Sequence, residues 1–128
     1  MIENSIRDRA LQSQALTDLI GSNFHLTTNH SSKDCYVLLR VTNDSTPVEL
    51  HLEDNQSTAN IQFDCYAKSA QAAKQIALEI NNQFHKKEFR DLTVSVQLAL
   101  KQNRIPDFDT DSSLHRESLD YVFYYNEV

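Results

Sequence analysis

Glycine is almost absent from this chain. Its 128 residues include one, Gly21, together with two prolines. A phosphate cradle needs several glycines, so that backbone N–H groups can approach the phosphate ahead of a helix. The chain does carry a strand-to-helix junction of the kind such a cradle would occupy. Ile61-Gln62-Phe63-Asp64-Cys65-Tyr66-Ala67 alternates like a strand and hands over to an alanine-rich helix at Ser69, with no glycine between them. No mononucleotide or dinucleotide fingerprint follows, and the reading moves from enzyme toward assembly protein. The same scarcity excludes a disordered or repetitive Pro/Gly-rich chain.

Other absences narrow the class further. Two cysteines, Cys35 and Cys65, make no disulfide framework in a chain this long. Both are expected as buried, reduced thiols, with pairing open to them only if neighbouring strands bring them together. Positive charge is in the minority, 12 Lys and Arg against 18 Asp and Glu, for a net charge of −6. A basic footprint for nucleic acid is therefore missing across the sequence as a whole. No apolar run approaches the ~20 residues that span a bilayer, and Met1–Asp8 is polar and charged rather than leader-like. The expectation is a soluble protein made in a cytoplasm, with one domain over residues 1–128 and 40% hydrophobic residues to fill one core.

Catalytic patterns are missing too. His25, His30, His51, His85 and His115 form neither an HExxH pair nor a Cys/His cluster at zinc spacing. Cys65 follows Asp64, but adjacent strand residues point to opposite faces, so the acid is badly placed to activate the thiol. No GxSxG elbow exists. Asp107, Asp109 and Asp111 alternate around Phe108 without the glycine or the closing bidentate Glu of a calcium loop. They read as a solvated acidic loop, or as a partner-binding loop with Phe108 as its apolar anchor. The expectation is no enzyme, no cofactor and no metal.

What is present is amphipathic periodicity. Residues 2–20 read as helix with a break at Gln12-Ser13, carrying one stripe of Ile2, Ile6 and Ala10 and another of Leu16, Leu19 and Ile20. Ser13 suits a cap and Gly21 a helix stop. A short strand is expected near Phe24–Leu26, then one over Cys35–Thr42, one over Val48–Leu52 and one over Thr58–Ala67, with turns at 43–47 and 54–57. A helix over 69–86 follows, capped by Ser69, with Ala70, Ala73, Ile76, Ala77, Ile80 and Phe84 on one stripe. Leu92, Val94, Val96, Leu98 and Leu100 alternate as a strand, residues 103–115 read as a loop, and Leu119, Tyr121, Phe123 and Tyr125 mark the last strand. Its other face, Val122 and Tyr124, is too apolar for a freely solvated strand and suits a helix or another subunit. The order predicts an α+β fold: a mostly antiparallel sheet of four to five strands with two helical segments on one face. The loops at 43–47 and 103–115 are expected to be mobile until a partner orders them.

Three features together resemble the tail completion, or tail terminator, proteins of long-tailed bacteriophages over nearly the whole chain. They are the Ile61–Ala67 strand with its helix (Ala70, Ala72, Ala73, Ile76, Ala77), the final-strand start Arg116-Glu117-Ser118-Leu119-Asp120-Tyr121, and the N-terminal helical pair ending at Gly21. The resemblance implies a structural virion protein assembled in the host cytoplasm and placed at the head–tail junction. Such proteins form a homo-oligomeric ring, commonly hexameric, that caps the finished tail tube and meets the head connector or stopper protein. DNA passes through the lumen without sequence-specific binding. Phe108, Asp107, Asp109, Asp111, Arg116 and Tyr124 are the expected interface residues. A neck or head–tail adaptor is the near alternative, and a small ligand-binding domain or enzyme the distant one.

Overall fold

The structure, a computed structural model, describes residues 2–26, 34–45 and 56–128. The expected strand at Val48–Leu52, His30, His51 and parts of the turns at 43–47 and 54–57 lie outside the described residues. The described part of the first turn, Asn43–Ser45, is instead strand paired with Thr58–Asn60, and Ser57 already belongs to the next strand. Three helices, α1 (Ile2–Leu11), α2 (Gln14–Ile20) and α3 (Ala70–Phe84), accompany six strands. The strands are β1 (Phe24–Leu26), β2 (Tyr36–Ser45), β3 (Ser57–Ala67), β4 (Phe89–Arg90), β5 (Val94–Asp109) and β6 (Leu114–Glu127). They form one sheet in the order β1-β2-β3-β6-β5-β4. β1 runs parallel to β2, and the other pairings are antiparallel. The α+β class stands, with more elements than the expected two helical segments and four to five strands.

The helix count rises because the break at Ser13 separates two helices. Ser13 is extended, and its hydroxyl accepts from the Leu16 N–H at 3.2 Å, satisfying a donor that α2 leaves open. Gly21 ends α2 at φ 63°, a backbone region that favours glycine. Ser69 caps α3 in the same way, accepting from the Ala72 N–H at 3.0 Å. The extra strands are short. β4 is a two-residue rung beside β5, held to α1 by the Arg9 guanidinium lying over the Phe89 ring at 4.6 Å.

The helices cover one face of the sheet. Ile6 of α1, Leu16 and Ile20 of α2, and Ile76, Ile80 and Phe84 of α3 pack on Leu39, Phe63, Tyr121 and Phe123. Phe63 sits at the centre, with ring centroids 5.4 Å from both Phe84 and Tyr121 and 6.3 Å from Phe24. Such offset and edge-on pairs add to the area they bury. Ala70, expected on the buried stripe of α3, is exposed in its first turn.

Two expectations about the C-terminal strands are corrected. The even alternation expected from Leu92 to Leu100 is broken. Register slips between Val96 and Leu98, and again between Lys101 and Asn103, so Gln97 and Gln102 are extra residues. Each bulge turns the following side chains over. Val94, Val96 and Ala99 therefore face the core, Leu98 and Leu100 turn to the far face, and Leu92 stands 94% exposed before the strand begins. The segment 103–115 is likewise no loop. β5 continues to Asp109 and pairs with β6 from Leu114 onward, leaving only Thr110–Ser113 as a turn. The segment lacks a burial pattern because β5 is an edge strand beyond β4 and is wet on both sides. Pro106, which has no N–H to donate, suits such an edge.

Candidate interaction surface

Five of the six expected interface residues lie at the turn end of the β5–β6 hairpin. Asp107 and Arg116 stand opposite each other in register, and the guanidinium donates to the Asp107 carboxylate at 2.7 Å. Phe108, 47% exposed, meets His115 edge-on at 4.9 Å. Asp109 closes the turn, accepting from the Asp111 N–H at 3.2 Å and from the Ser112 hydroxyl at 2.9 Å. Asp111 is exposed beside it. Tyr124 is not part of this group. It sits further along β6, opposite Thr58 and Leu98.

No described helix packs on the face of the sheet that carries Tyr124. Tyr36 and Tyr66 stack there with centroids 4.6 Å apart, next to Leu38 and Leu114. Val122 is buried among its strand neighbours, so the far face is more apolar than a solvated sheet needs. Asp64, at its centre, is 0% exposed. Its carboxylate accepts from Arg40 at 2.5 Å, Gln62 at 2.9 Å and Ser118 at 2.7 Å. A bond with Tyr66, reinforced by the charges of Asp64 and Asp107, holds the Arg116 guanidinium still more firmly protonated. Sequence reasoning used Asp64 only as a neighbour of Cys65. The cross-strand position of Arg40, which the β2–β3 register sets, makes it the anchor of this face.

A second buried acid, Glu117, lies on the helix side of β6 and accepts from Arg104 of β5 at 2.5 Å. Between α3 and β5 runs a groove of about 500 Å³ with Leu78 and Leu119 in its apolar part and Lys74, Lys101 and Arg104 around it.

The groups most able to do chemistry are dispersed. Among the described residues no three His, Cys, Asp or Glu side chains gather as metal ligands. Both thiols are free, and they differ: Cys65 is buried, whereas Cys35 is only half-buried, its thiol donating to the Leu19 carbonyl at 3.2 Å. The expectation of two buried thiols therefore holds for Cys65 alone. Burial, helped by Asp64 and Glu117, pushes the Cys65 thiol well up, away from the reactive thiolate. Burial also pushes the Tyr121 phenol up, and its O–H donates to Asn81 of α3 at 2.6 Å. His85 is used structurally, its Nδ1 accepting from the Lys101 N–H at 3.1 Å. No described helix is long and apolar enough to cross a membrane.

These elements define an α+β protein with helices on one face of a six-stranded, mostly antiparallel sheet, a long C-terminal hairpin, and a second face on which no described helix packs. The same fold occurs in a solved structure, "Virion of native gene transfer agent (GTA) particle". One of its chains matches with a TM-score of 0.75 at 10% identity, over 96% of this chain and 92% of that one. At that identity the likeness is one of fold. No protein-family model and no curated protein matches the chain.

Proposed function

We propose that the protein is a structural component of a phage-like virion, and within the virion the tail terminator. In this reading it closes the finished tail tube as a ring, by expectation hexameric, and offers its outer surface to the head connector or stopper protein. DNA passes through the lumen. The observation that carries the proposal is the near end-to-end fold match to a chain of a gene transfer agent virion. The sequence resemblance to tail terminators points the same way and supplies the particular role.

The surfaces support assembly better than catalysis. Among the described residues, the hairpin end presents an exposed aromatic next to acids, the far sheet face keeps Tyr124 and a tyrosine stack without a covering helix, and the outer half of β5 runs as an open edge. Such materials build subunit interfaces. A repeated heterologous contact closes into a ring when its rotation divides the circle. The net charge of −6 fits a lumen that does not hold phosphate. A neck or head–tail adaptor draws on the same fold match, since the matching chain belongs to a virion particle rather than to an isolated tail. The two roles separate on tail length. Loss of a terminator leaves tails of abnormal length that fail to join heads, whereas loss of an adaptor leaves normal tails unattached. Electron microscopy of particles from a phage lacking the gene reads this directly, and finished, head-joined tails in its absence count against both roles.

A further inference from the structure

The groove between α3 and β5 is basic in an acidic protein. Lys74, Lys101 and Arg104 line it, no acidic residue does among the described residues, and the chain as a whole carries −6. Arg104 is engaged by Glu117, but Lys74 and Lys101 have no ion-pair partner among the described residues. The floor is apolar, with Leu119 buried and Leu78 52% exposed. An open groove of about 500 Å³ with two uncompensated ammonium groups and an apolar floor suits an acidic segment that carries one large apolar side chain.

The chain itself supplies such a segment. Asp107, Asp109 and Asp111 flank the exposed Phe108 along the chain, and Arg116 balances only Asp107. Phe108 stands on the helix side of the sheet with His115, while Asp107 and Asp109 stand on the other. The tip of the turn is held away from the Lys101 end of its own groove, while Phe108 lies beside Ala70 and Ala73 of α3 at the other end. Lys101 and Asp109 lie on one continuous strand, β5, whose eight intervening steps hold them roughly 25 Å apart at the usual rise of a strand. A second copy is not so restrained. The geometry points to a head-to-tail contact between copies, in which the acidic β5–β6 turn of one chain, led by Phe108, seats in the Lys74–Lys101 groove of the next. The contact is heterologous, since turn meets groove, so each chain keeps one free turn and one free groove until the series closes. The inference deepens the ring reading and rests on it, but its test needs neither a tail nor a phage.

Two charge-reversed chains provide the test. Asp107→Lys with Asp111→Lys reverses the turn while leaving the Asp109 turn bonds in place, and Lys74→Glu with Lys101→Glu reverses the groove. Sedimentation of the wild-type chain should show concentration-dependent self-association that weakens about tenfold or more from low to high salt, as screening of exposed charges requires. Each reversed chain alone should stay monomeric with an unchanged circular dichroism spectrum. Their equimolar mixture should associate again, because the basic turn now faces an acidic groove and the acidic turn a basic one. Asp111→Lys alone is the milder variant should the double change disturb the hairpin. A wild-type chain that is monomeric throughout overturns the inference. So do reversed chains that associate as the wild type does, or a folded mixture that stays monomeric. A groove that serves nucleic acid instead would show lysine-dependent binding of duplex DNA without self-association, which also overturns it. Failure of the terminator reading shows elsewhere, as normal head-joined tails formed without the protein.

Discussion

Asp64 and Arg40 form the central pair of the sheet face on which no described helix packs. The carboxylate has no exposed surface, whereas the arginine side chain is 44% exposed and can return to water if its partner is lost. Removing a partner from a fully buried pair costs ~3–5 kcal/mol, and the exposure of Arg40 lowers the expected figure here. Asp64→Asn should therefore destabilise by about 1–3 kcal/mol, read as a lower urea midpoint at unchanged slope. An unchanged midpoint contradicts the assignment of Asp64 as an anchor. Gly21 offers a second residue-level test. An added Cβ would meet nothing within 4 Å, so the cost of Gly21→Ala is backbone strain alone, about 1–2 kcal/mol. A neutral or stabilising result rules out the positive φ. Asp91 gives a pH dependence. The nearby Ser5 hydroxyl, with bonds from the Val94 and Thr93 N–H groups and from the Thr93 hydroxyl, holds its carboxyl below the usual carboxylate range. A depressed folded pKa contributes stability above the unfolded value near pH 4, and that contribution is lost as pH falls toward the folded value. Asp91→Asn should flatten the acid limb of the stability curve below about pH 4. An identical acid limb in the variant removes Asp91 from the account.

The hairpin of β5 and β6 is the element on which sequence and structure part most. The helices were legible because capping residues mark them: Ser13, Gly21 and Ser69 stand where the chain needs an acceptor or a positive φ. The β3 strand was legible because it is buried at the centre of the sheet and alternates cleanly. β5 was read only in part, because the bulges at Gln97 and Gln102 shift the side-chain period. Its outer half is an edge that faces water on both sides, so hydrophobicity carries no strand signal there. The clustering of the expected interface residues rests on a different signal, charge and an aromatic in one short segment, which picks Asp107, Phe108, Asp109, Asp111 and Arg116 but not their pairing. Asp64 and the α3–β5 groove were invisible, because both depend on residues far apart in sequence coming together. Hydrogen exchange tests the corrected hairpin. Amides of Leu119 and Tyr121, in a strand flanked on both sides, should exchange on the order of 100-fold or more slowly than those of Thr110–Ser113. Uniformly fast exchange from 103 to 120 would restore the loop.

As a whole molecule, the protein keeps one face of its sheet under helices, and among the described residues no helix covers the other face, which with an edge strand and a charged turn is the surface the proposed assembly would use. That division assigns stability to Phe63 and the rings around it and, in the proposed function, assembly to the periphery. Phe108→Asp and Tyr124→Lys change only partly exposed side chains, so both variants should fold with stabilities within about 1 kcal/mol of the wild type and still fail to complete tails. The most direct measurement is tail length and head attachment, by electron microscopy, in a phage or prophage from which this gene has been deleted and then supplied in trans. The account predicts tails of abnormal length with no heads in the deletion, normal head-joined particles with the wild-type protein, and no rescue by Phe108→Asp. Tails of normal length that join heads in the deletion would contradict it.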